Sequence, residues 1–180
     1  NVIGQGHAVL TPTNPGDYTK LSMSAEQAID VAFKGEGLLD KVVTKGRTNI
    51  KMDVPNRSPD AANKSVTADT VTTQFAANGK DISHTVAVGN AQLVISPLAP
   101  SENNYQTTVN APKFDCEFFP AGSDPKTCIA ATAVKTVRVP TQPAADRGTQ
   151  TLTSDKLIAN FDAGSRELAA LEATGNAKFN

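Results

Sequence analysis

The five residues Gly89–Leu93, GNAQL, return almost unchanged at Gly175–Phe179 as GNAKF, 86 positions later. Sliding the chain by that offset superposes residues 65–94, SVTADTVTTQFAANGKDISHTVAVGNAQLV, on residues 151–180, TLTSDKLIANFDAGSRELAALEATGNAKFN, without a gap. Asp69 falls on Asp155, Phe75 on Phe161, Ile82 on Leu168 and Asn90 on Asn176. Half the offset, 43, also works: Ser24-Ala25-Glu26 precedes Thr67-Ala68-Asp69 by 43, and Gly46 precedes Gly89 by the same step. The unit between keeps Ala111, Phe114 and Phe118 in phase, with Thr132 where the glycine recurs. Pro12, Pro55, Pro97 and Pro140 keep the same step, with Pro15, Pro59, Pro100 and Pro143 close behind. A fixed period of this length marks a repeat architecture, so it is read before any single residue.

Each unit then consists of a Pro-containing loop, a strand with [T/S]-[A/S]-[D/E], a small turn, and a return strand with G-x-[A/T]-x-Φ. The runs TVTTQF, KLIANF and KFDCEF alternate with period two and are β-branched or aromatic, which excludes helical repeats. Two long runs per unit are too few for a four-stranded propeller blade. Alternation assigns Val71, Thr73 and Phe75 to one side, likewise Phe114, Cys116 and Phe118, and Leu157, Ala159 and Phe161. In the first unit the set is Ile29, Val31 and Phe33, one residue out of phase, which predicts a bulge. On the return strands the inward set is Ala87, Gly89, Ala91, Leu93 and Ile95, and later Ala173, Gly175, Ala177 and Phe179, small in its middle so that the strand can bend or leave space. The fold class is all-β, one domain over 1–180, with units at about 18–60, 61–103, 104–146 and 147–180 after a half unit 1–17.

Composition excludes several functions. Seventeen basic against eighteen acidic residues give a net charge of −1, with no basic cluster to hold a nucleic acid. No run reaches the roughly 18 apolar residues that a membrane-spanning helix needs. His7 and His84 have no nucleophile motif beside them and read as solvent-facing strand residues. Glu26, Asp69 and Asp155 repeat at equivalent corners, where a carboxylate caps turn amides; like environments do not make the unlike pair that acid–base chemistry requires. Cys116 and Cys128 flank EFFPAGSDPKT and could meet across a hairpin, a bridge that would contribute about 2–3 kcal/mol and imply an oxidising compartment. The other reading of the pair is two small unpaired hydrophobes, since two Cys without nearby His supply too few ligands for zinc.

TADTV and TSDKL, alternating in register with GNAQL and GNAKF, resemble the A-D-x-Φ and G-N-A/V steps of the OstA family. That family is the β-jellyroll domain of the periplasmic lipopolysaccharide-transport proteins LptA, LptC and the N-terminal part of LptD. The resemblance implies a V-shaped antiparallel β-jellyroll with an apolar trough for the acyl chains of lipopolysaccharide or a related glycolipid. It also implies a periplasmic setting in a Gram-negative-type envelope, domains joined end to end into a bridge to the outer membrane, no cofactor and no catalysis. The trough candidates are Ile29, Val31, Phe33, Val71, Phe75, Leu93, Phe114, Phe118, Leu157, Phe161 and Phe179, for each of which plain core packing is the alternative. Residues 1–10 and 171–180 read as return strands at open sheet edges, so this domain is expected to pair with itself or with other OstA-like domains. The competing function is a structural or adhesive β-solenoid of a cell envelope, which would fill its interior completely.

Overall fold

The computed structural model describes residues 2–3, 5–11, 19–56, 61–101, 104–120, 124–142, 147–163 and 168–180. Pro12, Pro15, Pro59 and Pro143 lie outside them. The strands come in bent runs. The first four runs each consist of two short strands: β1 (Val2–Ile3) with β2 (Gly6–Leu10), β3 (Lys20–Ala25) with β4 (Ala28–Lys34), β5 (Leu38–Lys45) with β6 (Thr48–Asp53), and β7 (Ala62–Ala68) with β8 (Thr70–Phe75). Then come β9 (Ile82–Pro97), β10 (Tyr105–Phe118), β11 (Pro125–Pro140) and β12 (Gln150–Phe161), each continuous through the bend, and finally β13 (Leu168–Thr174) with β14 (Lys178–Phe179). A 3-10 turn at Gly35–Gly37 is the one helical element among the described residues.

Among the described residues every pairing is antiparallel, and all fourteen strands belong to one sheet that forks at the bend. One wing runs β1-β4-β5-β8 and continues through the first half of β9, the second half of β10, the first half of β11 and the second half of β12 to β13. The other runs β2-β3-β6-β7 and continues through the complementary halves to β14. This is an open, curled all-β jellyroll built of two-strand repeats. The one-residue phase difference of Ile29, Val31 and Phe33 arises at the bend, where Glu26 and Gln27 separate β3 from β4 while Asp69 alone separates β7 from β8; Ile29 and Val31 stand opposite Thr44 and Val42, and a separate register shift lies between Ala32 and Phe33.

The core lies along the bend and is made of small side chains. One buried cluster joins Val109, Ala111, Ala130, Val134 and Leu157, the other Ala68, Val71, Ala87 and Ala91, and Phe114 packs against both. The bulkiest fully buried side chains are only Val71, Thr44 and Thr48. Small residues let the two wings approach, but each buries little area, so stabilisation at about 25 cal/mol per Å² is spread thinly over the bend. The threonines are tolerated because they replace ladder bonds: Thr44 Oγ1 accepts from Val71 N at 2.8 Å and lies 2.7 Å from Thr48 Oγ1. Across the β10–β11 hairpin Cys116 and Cys128 face each other and are disulfide-bonded.

Candidate functional site

The inner face is traced by following the register from strand to strand. In the first wing the row beside the bend reads Val71, Ala87, Phe114, Ala130, Leu157 and Ala173, with Ile29 and Thr44 leading into it. The next row outward is Val31, Val42, Thr73, Thr85, Cys116, Cys128, Ala159 and Leu171. Beyond it the phenylalanines mark the hairpin ends, one per hairpin: Phe33 opposite Leu39, Phe75 opposite Ile82, Phe118 opposite Pro125 and Phe161 opposite Leu168. In the second wing the corresponding row is Ala8, Met23, Ile50, Val66, Leu93, Val109, Thr136, Leu152 and Phe179. Every one of the eleven trough candidates from the sequence therefore sits on these inner rows.

Their burial differs with position. Val71 and Leu157, beside the bend, are buried, and Phe114 is wedged against both core clusters. Phe75, Phe118, Phe161 and Leu93 are half-buried, while Val31, Phe33 and Phe179 are exposed, the last two at 63% and 67%. None of the seven phenylalanines is a buried core residue. A domain this size normally hides such rings, whereas here the inner face presents partly accessible aromatic edges. Between two of the hairpin ends lies a cavity of about 510 Å³ lined by Ala76, Ala77, Asn78, Ile82, Ser83, Phe118, Phe119 and Pro120.

The repeated glycines do not line this surface. Gly89 and Gly175 sit at the bend itself with φ of 81° and 69°, followed by Asn90 and Asn176 at 46° and 49°. Two successive left-handed residues turn the strand; asparagine tolerates that conformation and glycine has no side chain to oppose it. A Cβ on Gly89 would run into the Asp69 carboxylate, and one on Gly175 into that of Asp155. The inward placement expected for these glycines is thus corrected, and the physical reason is the left-handed kink, which interrupts the alternation of faces. Each acid also takes a defined partner. Asn90 Nδ2 donates to Asp69 Oδ2 at 3.1 Å and Asn176 Nδ2 to Asp155 Oδ2 at 2.9 Å, while the Asp69 and Asp155 amides donate to Gly89 O and Gly175 O at 2.9 and 2.7 Å. At Asp69 and Asp155 the asparagine, rather than a turn amide, is what the carboxylate binds. Sequence reading missed that link, although acid and asparagine are separated by 21 residues in both units.

Polar groups gather elsewhere. On the outer face of the first wing Lys113 and His84 both bond the Asp115 carboxylate, at 2.7 and 2.6 Å, and in that order hold its pKa below the usual carboxylate range. His7 is exposed. No three His, Cys, Asp or Glu side chains converge as metal ligands among the described residues. At the two sides of the sheet β1 and β2 pair only with β4 and β3, and β13 and β14 only with β12, so each of these strands presents one free backbone edge among the described residues.

No protein-family model matches the chain, and no characterised protein matches it by sequence. A solved structure matches it in fold. It is that of LptH, described as the LptA-homologous periplasmic component of the conserved lipopolysaccharide transport device of Pseudomonas aeruginosa. The likeness covers 89% of this chain and 93% of that one, with a TM-score of 0.50 and 11% identity. The chain shares the fold of LptH. The forked antiparallel sheet is the common feature, and at this identity the likeness is one of architecture.

Proposed function

We propose that the chain is a non-catalytic, periplasmic OstA-like module that holds the acyl chains of lipopolysaccharide or a related glycolipid against the inner face of its bent sheet. On this reading residues 1–180 are one domain, with hairpin units at about 18–60, 61–103, 104–146 and 147–180. The observation that carries it is the exclusion of all seven phenylalanines from the buried core while Phe33, Phe75, Phe118, Phe161 and Phe179 stand on inner rows. Each CH₂ removed from water contributes about 0.8 kcal/mol, so several partly covered chains give useful affinity without a closed pocket. The free edges support a bridge: a strand from a second copy or from a like domain adds to β1–β2 or to β13–β14, and a head-to-tail contact of this kind need not close. The Cys116–Cys128 disulfide fits an oxidising compartment.

The test is photocrosslinking in cells, with the reactive group at Phe75, Phe118 or Phe161 and, as control, at the exposed Lys80. Capture of lipopolysaccharide at the three inner sites and not at Lys80 is expected. Equal capture at all four, or none, rejects the lipid trough and favours a filled structural solenoid.

A further inference from the structure

The inner rows traced above carry no charged side chain. One row further out in the second wing, the register runs Met52, Lys64, Ile95, Thr107, Arg138 and Gln150, and here two charges appear, both positive. Lys64 follows Val66 at the spacing that keeps it on the inner side, and Arg138 stands in the same relation to the buried Thr136. Three strand spacings separate them, about 14 Å between backbones, within joint reach of one headgroup. We propose that this row is the headgroup end of the trough, where Lys64 and Arg138 together bind the phosphate of a phosphorylated amphiphile whose acyl chains lie along the uncharged inner rows.

Three further observations support this assignment. Arg138 is held in place rather than waving in solvent: its guanidinium stacks over the Tyr105 ring at 4.4 Å and Nη1 donates to Gln150 Oε1 at 3.2 Å, which leaves most of its donors for an anion. Lys64 is open to water yet crowded by the wall around it; burial pushes its pKa down and the field of Asp124 raises it in part. An ammonium held so is stabilised by a further anionic neighbour. One step deeper, the hydroxyls of Thr136 and Ser154 face inward, are 8% and 4% exposed, and have no hydrogen-bond partner among the described residues. They are donors and acceptors for the ester or sugar oxygens that join a phosphate to its chains. Charge sign therefore orients the ligand. The cationic row takes the head and the uncharged inner rows take the chains.

This inference rests on the acyl-chain reading above, and the experiment separates the two. Calorimetric titration would compare a single-chain lysophosphatidic acid with the monoacylglycerol of the same chain, both below their micelle concentrations. Wild-type protein is expected to prefer the phosphorylated lipid by about tenfold or more, as a charge-assisted contact with two cations implies. K64Q/R138Q should bring that preference to within about twofold while leaving the monoacylglycerol affinity unchanged, and K51Q, an outward-facing lysine on β6, should keep it in full. Arg138 is exposed, so R138Q alone folds even where the double variant does not, and it should reduce the preference about threefold. An undiminished preference in R138Q or in the folded double variant overturns the headgroup site. Equal binding of both lipids by the wild type overturns it too, with the acyl-chain trough left standing; binding of neither removes the trough itself. Millimolar inorganic phosphate should not displace the lysophospholipid, and full displacement without any monoacylglycerol binding would mark a free-anion site instead.

Discussion

After the first bend, at Gly46, the bend is built twice with one set of residues and once with another. In the unit of β7, β8 and β9 the kinked strand carries Gly89-Asn90 and its neighbour carries Asp69; the last unit repeats this with Gly175-Asn176 and Asp155. In the β10–β11 hairpin the same backbone kink is made by Thr132 and Ala133, at φ of 66° and 51°, and Pro112 occupies the place of the aspartate. Neither the acid nor the asparagine is present in this hairpin. Proline also lacks the amide that Asp69 and Asp155 donate to the kinked strand. A β-branched residue in the left-handed region costs on the order of 1–3 kcal/mol, and it persists only where the surroundings impose it. This hairpin has that support, because it alone among the described strands is closed by the Cys116–Cys128 bond. The comparison suggests that one conformation can be specified locally, by glycine and asparagine, or enforced from outside by a crosslink and long ladders on both sides.

Gly89→Leu should have the largest effect, a loss of about 4 kcal/mol in urea denaturation, since an overpacked contact with Asp69 adds to the strain of positive φ. Gly35→Ala, where an added Cβ meets nothing within 4 Å, is the control and should stay within about 0.5 kcal/mol. If Gly89→Leu were as mild as Gly35→Ala, the corner would not be the constraint described. Next comes the double replacement Cys116→Ala/Cys128→Ala, expected to cost about 3 kcal/mol by the loop-entropy relation. Amide exchange should then accelerate first around Thr132; uniform acceleration over the whole sheet would break the link between crosslink and strained corner. Smaller and opposite in sign, Thr132→Gly should gain about 1 kcal/mol by relieving the left-handed β-branched residue, and a loss there would show that the hydroxyl or methyl is needed in place. The smallest change is Asn90→Gly, about half a kcal/mol, because its bond to Asp69 is exposed to water and glycine keeps the positive φ without strain. Asp69→Ala should cost about the same, and the double variant no more than either alone; additive losses would mean that the two side chains do not act as a pair.

Much of the architecture was legible in the chain itself. Period-two alternation in TVTTQF and KLIANF gave strands, the recurrence of Asp and Gly-Asn at fixed phase gave the bends, and the inner rows contain Val71, Phe75, Phe118 and Phe161 where alternation put them. Gly89 was misplaced because alternation was carried straight through a kink, where the left-handed backbone turns the missing side chain toward Asp69 although Ala87 and Leu93 on either side keep the inner face. The cationic row was not seen, because Lys64 and Arg138 lie 74 residues apart and neither stands in a motif.

What the sequence determined by itself is what neighbouring residues decide among themselves: strand or turn, which face a side chain takes along an uninterrupted run, and where two left-handed residues in succession are permitted. These are local because sterics at φ and ψ and the pleat act over a few residues. The tertiary structure decided what depends on the register between strands. It set the Asp69 carboxylate against the space that Gly89 leaves, Cys116 opposite Cys128, the phenylalanines at the hairpin ends of one wing and two cations on one row of the other. Register is a collective property of the whole ladder, fixed by many weak pairings together with the shared burial of the small residues at the bend, and a one-residue slip would turn each of these faces outward.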